Sequence, residues 1–250
     1  MIKRLHKPNA LLLILTVLLI TGLGCSLAPI TEADADTPQN RETVVVLHGL
    51  GRSKAAMWLL ASRLEDAGYN AVRIDYDSFR TTPNLIVDAV TQDIERCCEN
   101  RQHPIHFVGH SMGGLIIRAY LDRQRPENLG RVVMIGTPNH GTDFVDKYRH
   151  RWWLQIAGEA ALALGTDSES FPNTLPRPDY PLGVIAGYRE GSMHDDPIAG
   201  PDDGLVPVYS TLIEGMDDFI LIESGHSAMR YDKNVALQTI YFLKHGQFER

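Results

Sequence analysis

Six short apolar runs, each bounded by turn or helix signals, constrain this chain more than any other feature. Val44–Leu47, Ala71–Asp75, Ile105–Gly109, Val132–Ile135, Gly183–Ala186 and Phe219–Ile222 have the length and residue types of buried strands. Between and after them, Lys54–Ala67, Leu85–Cys98, Met112–Gln124 and Asn234–His245 repeat apolar residues at three- and four-residue spacing, which predicts helices. Alternation of strand and helix implies parallel pairing, and a parallel sheet needs cover on both faces. The predicted class is α/β: a mainly parallel sheet of about six strands with helices on both faces. With 250 residues, 44% of them hydrophobic, the chain suits one globular domain with a substantial core and leaves no room for a second catalytic domain. Its net charge of -7 lacks the basic footprint of a nucleic-acid binder, so no nucleic acid is expected as partner.

The first residues read as an export segment. Lys3, Arg4 and Lys7 supply positive charge ahead of an apolar run from Ala10 to Ile20, and with its extension to Leu23 the run is short of the roughly 20 residues that cross a bilayer comfortably. A cleaved signal over residues 1–27 is expected, with an uncleaved anchor as the alternative. Cys25 after Gly22-Leu23-Gly24 resembles a lipoprotein processing site, except that Gly22 stands where such sites usually carry Leu. Lipidation of Cys25 and ordinary cleavage nearby both stand. The protein is expected to be exported, periplasmic or membrane-anchored, with any membrane association made through its N-terminus. Residues 28–42, polar and acidic with Pro29 and Pro38, read as a linker, and the domain as 43–250. Cys97 and Cys98 close a predicted helix, where neighbouring side chains diverge by about 100°, so they are expected as separate thiols.

One interval interrupts the alternation. Residues 142–181 are too long for a connection and carry Trp152, Trp153, Leu154, Ile156, Leu162 and Leu164. They form either a helical pair covering a sheet edge or a small helical cap over a cleft, in which case Trp152 and Trp153 are candidates to contact substrate.

The chemistry is carried by Gly109-His110-Ser111-Met112-Gly113, a G-x-S-x-G pattern between a predicted strand and a predicted helix. Such a turn pushes the serine into an exposed, strained position, whereas the same serine elsewhere would only cap a helix. A serine hydroxyl needs a neutral imidazole within reach, oriented in turn by a carboxylate. Where a serine sits on this kind of turn, acid and base follow it in that order. Of the later histidines, His140, His150 and His194 come before or beside the candidate acids, and His245 ends the last helix. That leaves His226, which follows the last predicted strand. The acid falls to Asp203 beside Gly204, with Asp202 as runner-up and Asp195 and Asp196 as rivals. Two backbone N–H groups are also needed for a developing oxyanion: Met112 after the serine, and Leu50 in His48-Gly49-Leu50-Gly51 after the first strand.

These motifs, with Gly136-Thr137-Pro138-Asn139-His140-Gly141-Thr142 and Asp203-Gly204-Leu205-Val206-Pro207, resemble the bacterial lipase and esterase branch of the α/β-hydrolase superfamily, in the family's order and from about residue 43 to the C-terminus. The resemblance implies an α/β-hydrolase fold that lacks the first two strands of larger members. It carries the triad onto Ser111, Asp203 and His226 and the oxyanion hole onto Leu50 and Met112. Some relatives bind calcium near the acid and base loops, where this chain has Asp195, Asp196 and Asp202. An acidic loop is more simply a solvated surface, so no metal and no cofactor is expected. The expected activity is hydrolysis of carboxylic esters, a lipid or small ester being the substrate. The alternatives are an acyltransferase that passes the acyl group to an envelope acceptor, and a non-catalytic binding domain on the same fold.

Overall fold

The strand order of the sheet fixes where a site can form. In the computed structural model, which describes residues 40–98, 102–190 and 200–250, six strands make one sheet: β1 (Thr43–Leu47), β2 (Asn70–Ile74), β3 (Ile105–His110), β4 (Leu129–Ile135), β5 (Leu182–Tyr188) and β6 (Asp218–Glu223). Every neighbouring pair is parallel and the order is β2-β1-β3-β4-β5-β6. The chain steps outward from β1 to β2 and then back past β1 to β3. The C-terminal ends of β1 and β3 therefore flank the point where the winding reverses, and open α/β sheets form their crevice there.

The predicted strands all appear, most of them lengthened by one to three residues, and the predicted helices appear as α1 (Trp58–Asp66, entered through a 3-10 turn at Lys54–Met57), α2 (Pro83–Cys98), α3 (Met112–Arg123) and α9 (Lys233–His245). Alternate strand residues divide between two cores. Val45, Leu47, Phe107, Val132, Met134 and Val184 pack with Ile86, Val90 and Ile94 of α2 and Leu115 and Ile116 of α3. Val44, Val46, Val108, Val133, Ile135 and Ile185 pack on the other face with Leu60 and Leu64 of α1 and Val235, Phe242 and Leu243 of α9. Because successive side chains of a strand point to opposite faces, a near-continuous run such as Val44–Leu47 serves both cores at once.

The 142–181 interval folds into four short helices: α4 (Asp143–Tyr148), α5 (Trp152–Ala157), α6 (Glu159–Leu162) and α7 (Phe171–Thr174). Val145, Leu154, Ala160, Ala161 and Leu164 anchor it in the first core. One further helix, α8 (Val208–Thr211), precedes β6. Cys97 and Cys98 depart from expectation, since they are joined to each other by a disulfide. They are the last two described residues of α2, and helix ends hold ideal geometry less tightly than helix interiors, so the divergence expected of neighbouring helical side chains does not keep the two sulfurs apart. The export segment, Cys25, residues 28–39 of the linker, His194, Asp195 and Asp196 lie outside the described residues.

Close packing between β3 and α3 leaves no room beside Gly109, where an added Cβ would fall 2.5 Å from the Gly114 nitrogen and 2.7 Å from the Gly113 carbonyl carbon. Backbone cannot yield as a side-chain tip can. Gly109→Ala is expected to cost on the order of 3 kcal/mol, read as a lower urea midpoint with the slope unchanged.

Candidate active site

The turn from β3 into α3 sets the geometry of the serine. Ser111 caps α3 with φ 57° and ψ -127°, one of two non-glycine residues at positive φ among those described. Such a conformation costs on the order of 1–3 kcal/mol and persists only where the surroundings enforce it. Here the Ser111 N–H donates to the Ile135 carbonyl of β4 at 2.8 Å, and the Gly114 N–H donates back to the Ser111 carbonyl at 3.0 Å. The serine is thus stitched to the neighbouring strand and to its own helix while its hydroxyl points away from both.

Two loops at the same end of the sheet meet that hydroxyl. His226, in the loop after β6, places Nε2 3.0 Å from Ser111 Oγ and donates through Nδ1 to Asp203 Oδ2 at 2.7 Å. With Nδ1 carrying the proton, Nε2 is left as the acceptor that a serine hydroxyl needs. Asp203, after β5, is held by its other oxygen, which accepts from the Leu205 and Val206 amides at 3.0 and 2.8 Å. The His226 N–H also donates to the Asp203 carbonyl at 2.8 Å, so main chain and side chain both tie the two loops together. Ser111 and Asp203 are buried and the His226 side chain nearly so. Burial shields the relay from water and strengthens each of its hydrogen bonds.

The runner-up acid is turned elsewhere. Asp202 is fully buried, accepts from the Gly204 amide and faces Arg189 at 3.6 Å, closing the turn that carries Asp203. The structure therefore brings Ser111, His226 and Asp203 together and leaves Asp202 supporting the loop.

On the other side of Ser111 lies the loop after β1. The Gly49 backbone approaches so closely that a Cβ there would come 3.0 Å from Ser111 Cβ. The loop is pinned by the Tyr76 hydroxyl, which donates to the His48 carbonyl, by stacking of the Tyr76 and His48 rings, and by the Gly51 N–H donating to Ser78 Oγ at 2.8 Å. Among the described residues the Leu50 and Met112 N–H groups have no hydrogen-bond partner in the protein. Trp152 and Trp153 are on α5, where the Trp153 ring contacts Phe144 and Tyr148 rather than a member of the relay.

Sequence reasoning missed two contributors. Gly136, in a motif whose role could not be derived, sits at φ 56° directly against the relay: a Cβ there would be 3.2 Å from Asp203 Oδ2 and 3.4 Å from His226 Nδ1. His110, read only as the variable position of the motif, is buried and donates from Nε2 to the His226 carbonyl at 2.8 Å. Its only sequence signal was a polar residue inside an apolar strand end.

The chain matches the palmitoyl protein thioesterase family model over residues 43–173. Solved structures with the same fold include a lipase of Bacillus licheniformis, BlEst2 in its mature form, with TM-score 0.66 at 18% identity over 82% of this chain and 92% of that one. Phospholipase PlaB from Legionella pneumophila aligns with TM-score 0.64 at 17% identity, over 82% of this chain and 60% of its own. A lipase-esterase related protein from Clostridium acetobutylicum aligns with TM-score 0.52 at 18% identity, over 84% and 95%. At such identities the likeness is one of fold. No curated protein matches the chain.

Burial lowers the pKa of His110 well below the ordinary imidazole value of 6.5, helped by the neighbouring His226 and by the charges of Arg230 and Arg52. The unfolded chain therefore takes up a proton that the folded chain refuses. The stability linked to His110 is fully present above about pH 6.5 and is lost as pH falls from there toward the folded value. His110→Gln, whose amide can keep the bond to the His226 carbonyl, is expected to flatten this acid limb, read as urea midpoints measured across that range.

Proposed function

Since the chain belongs to the palmitoyl protein thioesterase family, we propose that it is a serine hydrolase that releases apolar acyl groups from esters through an acyl-enzyme on Ser111. The observation that carries this reading is the continuous relay from Ser111 Oγ through His226 to Asp203, at 3.0 and 2.7 Å, on a serine held at positive φ. In the proposed cycle His226 Nε2 takes the hydroxyl proton as Oγ attacks the acyl carbonyl. Asp203 keeps the ring in that tautomer and stabilises the imidazolium that forms. The Leu50 and Met112 N–H groups, with no partner among the described residues, receive the oxyanion. The imidazolium then gives its proton to the leaving group, and water activated by the same histidine frees the acid.

The nature of the leaving atom does not alter the first step, because nucleophile, base and oxyanion donors all act on the acyl carbonyl. The matched family supports thioesters as substrates beside the carboxylic esters expected from the motifs. Both share an apolar acyl chain, and the substrate class we propose is therefore set by that chain. The export segment at residues 1–27 supports action outside the cytoplasm, in the periplasm or at a membrane, and the mass of the mature N-terminus reads whether Cys25 carries lipid.

The test is reaction of the purified chain with a fluorophosphonate, alongside turnover of p-nitrophenyl esters and of an acyl-coenzyme A. Ser111→Ala is expected to abolish labelling and both activities. Asp203→Asn is expected to lower kcat by about 10^4-fold by disfavouring the productive tautomer, whereas Asp202→Asn retains the relay and far more activity. Labelling that persists in Ser111→Ala, or equal losses in the two aspartate variants, contradicts the assignment.

A further inference from the structure

Helix α5 is fastened to the domain by one side and leaves the other uncovered. Leu154 is buried in the first core, while Trp152 is 73% exposed, Trp153 39% and Ile156 46%. Trp152 and Ile156 stand one helical turn apart on a shared face. Beside them the Trp153 ring meets Phe144 and Tyr148 at centroid distances of 6.0 and 5.7 Å, and those two rings are 4.8 Å from each other. The result is an aromatic shelf that runs from the end of α4 across α5.

The turn that joins α4 to α5, beside this shelf, is basic. Lys147, Arg149 and Arg151 fall within five residues, with His150 between them, in a chain whose net charge is -7. The nearest acids on α4 are engaged away from these cations: Asp143 accepts from the Tyr209 hydroxyl at 2.6 Å, and Asp146 accepts from the Thr166 hydroxyl and amide at 2.6 and 3.1 Å. Arg149 meets Asp167 only at 3.8 Å, and Lys147 lies over the Tyr148 ring. Among the described residues neither Lys147 nor Arg151 has a carboxylate partner.

We infer that this surface, formed by the end of α4 and by α5, docks onto an anionic lipid bilayer. Tryptophan rings favour the boundary between headgroups and acyl chains, and cations beside them meet lipid phosphates while their aliphatic stems lie along the apolar layer. Among the described residues no helix is long and apolar enough to cross a membrane, and α5, with six residues, fits the interface alone. An acidic overall charge would repel the rest of the domain from such a bilayer, so the basic shelf also sets which face turns toward it. Trp152 and Trp153, read from the sequence as candidates to contact substrate, take on the role of contacting the surface in which an apolar acyl substrate resides. The docking site stands on exposure and charge and does not depend on the hydrolase reading.

The sequence contains three tryptophans, Trp58, Trp152 and Trp153, so the shelf can be read locally. In the full chain carrying Ser111→Ala, so that lipid is not consumed, Trp58→Phe leaves fluorescence only on α5. With vesicles of phosphatidylglycerol brominated in its acyl chains, that fluorescence is expected to shift to the blue and to be quenched. The quenching should be largely lost with phosphatidylcholine vesicles brominated in the same way, and largely lost when Lys147, Arg149 and Arg151 are replaced by Gln. A local readout makes the result independent of any anchoring by the N-terminus. Absence of quenching with phosphatidylglycerol overturns the proposal, as does quenching indifferent to lipid charge and to the three Gln substitutions. Protection of the α5 tryptophans by self-association instead, seen by sedimentation without lipid, assigns the shelf to a second copy of the chain and equally overturns it.

Discussion

The strained turn at Ser111 is the constraint around which the rest of the site is arranged. A residue at φ 57° relaxes unless it is held, and the restraint comes from the Ile135 carbonyl on one side and from the first turn of α3 on the other. Both depend on β3 lying between β1 and β4 in a parallel sheet, with α3 pressed against it so tightly that Gly109 has no space for a side chain. Stability stored in two large cores thus keeps one residue in an unfavourable conformation. The benefit is chemical: the hydroxyl projects past the end of the strand, where loops from three other strands converge.

Those loops are independent in sequence and are joined only in the fold. Asp203 and His226 come from the connections after β5 and β6, tied by a side-chain and a main-chain hydrogen bond. The loop after β1 reaches Ser111 from the opposite side, positioned by Tyr76 and Ser78 after β2. Gly136 passes behind the relay with no side chain, which allows Asp203 and His226 to approach the end of β4. His110 steadies the histidine loop through the His226 carbonyl, and its own burial disfavours its charged form beside the His226 ring.

Much of this was legible in the sequence because it rests on local rules. Apolar runs such as Val44–Leu47 and Ile105–Gly109 are too short for helices and too apolar for an open sheet face, so strand positions and parallel pairing followed from them. Ser111 and His226 were legible from the motif and from chain order. What depended on distant contacts was not. Asp203 could be favoured over Asp202 by position, but which of the two carboxylates hydrogen-bonds His226 depends on a contact across to the β6 loop. The weight of Gly136 is invisible without the neighbours it touches, and His110 looked interchangeable. Cys97 and Cys98 were read from ideal helical divergence, which the bond between them overrides at the end of α2. The 142–181 segment was recognised as needing a partner, yet its anchoring through Val145, Leu154 and Ala160 could not be separated from its exposed tryptophans by pattern alone.

The covalent step proposed at Ser111 rests on the Ser111–His226–Asp203 hydrogen bonds and on two amides without a partner among the described residues, and that one atom can be examined directly. The most direct measurement is to mix the chain with a long-chain acyl thioester or ester, quench with acid in the first turnover, and map the added mass by peptide mass spectrometry. The account predicts one acyl group on the peptide containing Ser111, absent after deacylation is complete. Acyl transfer to any other residue, or turnover that leaves Ser111 unmodified at every time, would contradict it.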